Sequence, residues 1–189
     1  VLNSYGYERQ AEFQEDFAAY AGIDTQTYQC QIDASSTLSL DAMTQIDLAF
    51  TQRLAGMVQT NALDAFVSDA EIFGHYAADM MFQDLRVELD AEEYEKYEPY
   101  FYYIDAALIE EQAKAQEEPY MDSPMETAED PADPSAMEEP VPVGIYLPDS
   151  SKLAQWNCYA NIDESPVFGF VFSGQHLDIA HLFLAYLTE

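Results

Sequence analysis

At 189 residues, 49 % of them apolar, the chain is long enough for one domain with a proper core and too hydrophobic to be a wholly disordered polymer. Its 36 acidic residues stand against 6 basic ones, a formal net charge of −30, and such a surface repels nucleic acid and anionic lipid. A DNA- or RNA-binding role is thereby close to excluded, and no run approaches the ~18 apolar residues that a membrane span needs.

The elements follow in chain order. Val1 to Tyr5 reads as a short strand ending in Gly6. Glu8 to Ala21 reads as a helix with Phe13, Phe17 and Tyr20 on one stripe, stopped by Gly22. Thr27 to Asp33 alternates as a second strand. Asp41 is placed to cap a helix in which Met43, Ile46, Phe50, Leu54 and Met57 repeat at three and four. Leu63 to Val67 is strand again, followed at once by Ser68-Asp69 and a short helix from Glu71 to Asp79. Strand, helix, strand, helix, strand implies βαβ units and a parallel sheet wound right-handed.

Asp90 to Pro99 carries a further helical turn or two, and the aromatic run Tyr100 to Tyr103 follows. Glu110 to Pro140 then holds 11 acids, one lysine and five prolines, the composition of a mobile acidic loop. The organisation expected is therefore residues 1–109 as the first part of an α/β lobe, 110–140 as a flexible acidic loop, and 141–189 as the return of the chain to the same lobe. In that return, Val143 to Leu147 and Val167 to Phe172 read as strands. Ser150 to Trp156 reads as a short helix, and His176 to Leu187 as a buried terminal helix.

Three polar pairs or triplets fall after expected strands: Ser4-Tyr5-Gly6, Ser35-Ser36 and Ser68-Asp69. In an open α/β sheet the carboxyl ends of the strands are where ligands sit, so Ser4, Tyr5, Ser35, Ser36, Ser68 and Asp69 are the candidate ligand-binding residues. Asp69 with Glu71 disfavours an anionic ligand, and Tyr5 is able to stack on a sugar or an apolar group. The competing structural role for Ser68-Asp69 is to cap the helix that follows, and the two roles can coexist. The tyrosines of the run from Tyr94 to Tyr103, and the single Trp156, are read as packing before stacking platforms.

Little points to catalysis. There is no Gly-x-Ser-x-Gly elbow, no glycine-rich phosphate loop and no His-Glu-x-x-His, so no enzyme, metal or cofactor is expected. No alternating Asp-x-Asp-x-Asp-Gly loop marks a calcium site. His75, His176 and His181 form no ligand cluster. Cys30 and Cys158 lie among β-like residues without a CxxC motif, which favours buried free thiols over a bridge.

Three stretches carry a resemblance: "MTQIDLAFTQRLAGMVQTNALDAFVSD", "MMFQDLRVEL" and "VFGFVFSGQHLDIAHLFLAYLTE". They resemble the extracellular solute-binding proteins of bacterial ABC importers, and a group of short, membrane-anchored Firmicutes proteins built on that plan. The resemblance implies a single three-layer α/β lobe with a mostly parallel sheet, of periplasmic-binding-protein type. A full solute-binding protein is about twice as long, so the second lobe is expected to be missing or vestigial, and ligand binding weak. The chain opens on Val1-Leu2-Asn3, and an anchor upstream is expected to hold the domain outside the cytoplasm. The expected partner is a small solute. The alternative is a cell-surface module that contacts another protein, with no nucleic acid and no membrane insertion within the segment.

Overall fold

Four short apolar runs pair into one sheet. The computed structural model describes residues 1–40, 44–116, 128, 130–159 and 165–189. The strands are β1 (Ala65–Ser68), β2 (Phe101–Asp105), β3 (Pro140–Tyr146) and β4 (Val167–Phe170), in the spatial order β1-β4-β3-β2. Every neighbouring pair is antiparallel. The fold is thus mixed α/β with a four-stranded antiparallel sheet, which corrects the expected mostly parallel, three-layer lobe of periplasmic-binding-protein type.

The correction has a physical cause. An antiparallel sheet often wets one face, and its strands then alternate apolar with polar residues. Here successive side chains of each strand enter two different cores, so both faces are dry. Val67, Phe101, Ile145, Phe168 and Phe170 share one core with Phe13, Phe17, Leu85, Phe183 and Leu184. Phe66, Tyr102, Val143 and Val167 share the other with Leu54, Ile72 and Phe73. Strands buried on both sides read as continuous apolar runs, which is the signature normally left by parallel strands.

The helices are α1 (Gln10–Tyr20), α2 (Gln45–Gln59), α3 (Ala70–Ala78), α4 (Leu85–Glu88), α5 (Ala91–Tyr97), α6 (Ala106–Gln116), α7 (Ser151–Gln155) and α8 (Leu177–Leu187). Their starts follow from capping chemistry. Thr44 and Asp47 form a capping box at α2, and Asp90 with Glu93 forms another at α5. Thr44 rather than Asp41 therefore begins α2, while Asp41 and Met43 lie outside the described residues.

Neither Val1 to Tyr5 nor Thr27 to Asp33 is a strand. The first segment runs beside β1 and makes isolated backbone bonds rather than a ladder: Leu2 N–H to Val67 O at 2.7 Å, Asn3 N–H to Ser36 O at 3.0 Å and Tyr159 N–H to Ser4 O at 3.0 Å. Asn3 and Tyr5 take left-handed φ of 53° and 56°, which breaks the extended repeat. The aromatic run, not assigned to a strand from sequence, supplies the first three residues of β2, Phe101 to Tyr103.

Regular structure enters the expected acidic loop from both ends. Helix α6 continues to Gln116, and a 3-10 turn at Pro134–Ala136 precedes β3. The Asp105 carboxylate accepts the Glu138 and Glu139 amides at 2.9 and 3.0 Å, and Tyr103 N–H reaches Pro131 O at 2.8 Å. The middle of the loop, 117–127 and 129, lies outside the described residues.

Two glycines shape the second core. A side chain at Gly144 would meet the Phe73 ring at 2.6 Å, and one at Gly169 would meet Phe82 at 2.6 Å and Phe73 at 2.8 Å. The bare backbone leaves a slot in which Phe73 and Phe82 stack, with centroids 4.2 Å apart and planes 2° from parallel. Cys30 and Cys158 are free thiols, half-buried and buried respectively.

Candidate functional site

The turn between β1 and α3 puts Asp69 at a helix N-terminus, where one carboxylate oxygen accepts the Ile72 amide at 2.9 Å. The other oxygen accepts from Asn3 Nδ2 at 3.1 Å. Asn3 also clamps Leu38 on both sides, donating to its carbonyl at 2.9 Å and accepting from its amide at 2.8 Å. One asparagine thus ties the N-terminal segment, the 36–40 segment and the start of α3 together. Sequence reading missed it, since a lone asparagine after an expected strand carries no distinguishing signal.

These three segments enclose an open cleft of about 360 Å³. Asn3, Tyr5, Leu38, Asp47, Asp69 and Glu71 are among its lining residues. Tyr5 is 60 % exposed and projects from a left-handed backbone position. Asp47 is occupied by hydrogen bonds from the Thr44 hydroxyl, the Thr44 amide and the Ser39 amide, which hold its carboxyl below the usual range. Glu71, by contrast, has no hydrogen-bond partner among the described residues. Among the described residues, it is the carboxylate of the cleft left available to a ligand.

The six expected ligand residues divide. Tyr5 and Asp69 reach the cleft. Ser4 and Ser68 are fully buried; Ser4 Oγ donates to Ala34 O at 3.1 Å, and Ser68 Oγ donates to Asp69 O at 3.0 Å. Ser35 and Ser36 are turned to Asp33, which accepts their hydroxyls at 2.8 Å each and pairs with Arg53 at 2.7 Å. Burial by itself would raise the Asp33 carboxyl, but the bonds from Ser35, Ser36 and Arg53 outweigh it and hold the group well below the usual carboxylate range.

The buried Tyr159 hydroxyl hydrogen-bonds to Leu2 O and to Val67 O, pinning the N-terminal segment against β1 beneath the cleft. Burial, and then the nearby Asp69 charge, push that phenol well above its ordinary value. Cys158 sits close by, its thiol pushed up by burial. Neither group is poised as a nucleophile.

Among the described residues, no group of three or more histidine, cysteine, aspartate or glutamate side chains is placed to hold a metal ion. His181 lies between Glu93 and Glu88, at 2.9 and 3.1 Å from its two ring nitrogens, and joins α8 to the ends of α4 and α5. No helix among the described residues is long and apolar enough to cross a membrane. Comparison with protein-family models, with curated proteins and with solved structures finds no match for this chain.

Proposed function

We propose that the protein is a non-catalytic binding domain that takes a small solute carrying a positively charged group into the cleft at Tyr5, with weak affinity. The observation that carries this reading is that one cleft is lined by both an exposed Tyr5 and the free Glu71 carboxylate, while the other carboxylates described there, Asp47 and Asp69, are fixed by helix caps. An aromatic face and a carboxylate together recognise an ammonium or guanidinium group. The net charge of −30 also draws cations towards the surface. The cleft is open to water, so each polar contact contributes less than in an enclosed site. Placement outside the cytoplasm belongs to the same proposal and rests on the sequence resemblance alone, since the antiparallel sheet departs from the periplasmic-binding-protein lobe.

Calorimetric or NMR titration with arginine, putrescine, glucose and glutamate tests the reading. Arginine or putrescine is expected to bind with a dissociation constant on the order of 1 mM, near −4 kcal/mol. Glu71→Gln and Tyr5→Ala should each abolish binding. Glutamate binding as well as arginine would refute it.

A second reading is a surface module that docks another protein without a small ligand. Met80 and Phe172, 70 % and 54 % exposed, favour it. Their two segments are joined by the Phe172 amide bonding to Met81 O at 3.0 Å. Cationic solutes that leave every resonance unmoved would favour this reading over the first.

A further inference from the structure

In a chain this acidic, each basic side chain should find a carboxylate, and five of the six do. Arg9, Arg53, Arg86, Lys114 and Lys152 all lie 2.6 to 3.9 Å from a carboxylate oxygen. Lys96 is the exception among the described residues. Its ammonium instead donates to Tyr97 Oη at 2.9 Å and lies 4.6 Å from the centre of that ring. Tyr97 Oη is also 3.1 Å from Thr188 Oγ1, and the threonine hydroxyl reaches Leu184 O at 3.0 Å. The tyrosine is thereby fixed in place and Lys96 keeps N–H groups without an acceptor.

Lys96 stands at a second cleft of about 360 Å³, separate in its residues from the one at Tyr5. Leu147, Pro148 and Leu187 supply apolar lining; Tyr100 and Tyr146 add two more rings, and Asp149 and Glu189 two carboxylates. Tyr100 is 46 % exposed and has neither a ring partner nor a hydrogen bond among the described residues. Its backbone is nonetheless held, because it closes the 3-10 turn Glu98–Tyr100 directly before the buried Phe101 of β2. Asp149 is presented from a left-handed turn residue, φ 56°.

Charge narrows the ligand class. The field of a protein at −30 opposes an anion, while the Lys96 ammonium competes with a cation for the Asp149 and Glu189 carboxylates of the same lining. A neutral molecule escapes both. The cleft offers donors and acceptors side by side, and an unpartnered ring for an apolar face. That combination suits a molecule with hydroxyls around its rim and C–H groups on its faces. The volume lies at the lower end of small-ligand sites, which run from ~300 to 1,000 Å³.

We propose that this cleft binds a short neutral saccharide. Tyr100 is the platform for one sugar face, Lys96 donates to sugar hydroxyls, and Asp149 accepts from them.

The test is NMR titration of the 189-residue chain with maltotriose, cellotriose and chitotriose, alongside the anionic trigalacturonate and the cation choline. At least one neutral trisaccharide is expected to shift the Tyr100, Asp149 and Ser151 amides in a saturable manner. Tyr100→Ala should weaken that binding about two- to tenfold, the effect of losing one ring contact, while Tyr100→Phe keeps it. Lys96→Met should weaken it as well, and Tyr5→Ala should leave it unchanged. Circular dichroism melting of each variant separates loss of binding from loss of fold. The proposal is overturned if no neutral trisaccharide shifts these amides, if the shifts persist undiminished in a folded Tyr100→Ala, or if trigalacturonate or choline binds more tightly than every neutral sugar.

Discussion

Asn3 Nδ2 donates to Asp69 Oδ2 at 3.1 Å across 66 positions of chain, so the helix cap of α3 is also the anchor of the N-terminal segment. A cap is usually a local device. Here the same carboxylate holds a helix start with one oxygen and a distant segment with the other.

Asp69→Ala is expected to cost about 1–2 kcal/mol, towards the upper end of the range for loss of a cap, because Asn3 loses a partner as well. Asp69→Asn should recover much of this, since the amide oxygen still accepts from Ile72. Urea denaturation measures both. Equal losses for the two variants would show that the charge, not the cap, is what matters.

Gly144→Ala and Gly169→Ala should each destabilise by about 1–3 kcal/mol through overpacking against Phe73 and Phe82. Phe73→Leu alone is also destabilising, but in combination with Gly144→Ala the losses should be less than additive, because the smaller side chain yields space. A double-mutant cycle by thermal or chemical unfolding reads the coupling.

The Trp156 indole donates to Tyr186 Oη at 2.8 Å, and the Tyr186 hydroxyl donates to Asp16 at 2.7 Å. Tyr186→Phe leaves a buried indole N–H unpaired, a loss of about 1–3 kcal/mol. The chain has one tryptophan, so the same change should alter its fluorescence in the folded state.

Stability should fall at both ends of the pH scale, for opposite reasons. Asp33 titrates lower in the folded chain than the ~3.9 of a free aspartate. Its contribution is present above that ordinary value and is lost as pH falls through the depressed folded value. Tyr159 and Tyr186 titrate above the ~10 of a free tyrosine, chiefly through burial. Their contribution is present below that value and is lost as pH rises towards the raised folded values. Asp33→Asn should flatten the acid limb of the stability profile and Tyr159→Phe the alkaline limb. Denaturant midpoints across pH provide the check.

The sequence by itself determined the elements that depend on local chemistry. The aromatic stripe of Phe13 and Phe17, the apolar run of α8, the Asp69 cap and the cores of β1, β3 and β4 all follow from periodicity and capping groups within a few residues. Tertiary structure alone decided how those elements were joined. Strand direction depends on which edge each strand meets, and covering both sheet faces erased the alternation that would have marked the strands as antiparallel. Val1 to Tyr5 is apolar enough for a strand, but Asn3 turns left-handed to bond Leu38 and Asp69, and the ladder stops. The same holds for function: Tyr5 and Asp69 were legible as polar groups after apolar runs, whereas the freedom of Glu71 and Lys96 became visible only once Asp47, Asp69 and the other five cations had found their partners. Local rules act over a few residues, while these pairings reach across dozens, and their geometry exists only in the folded chain.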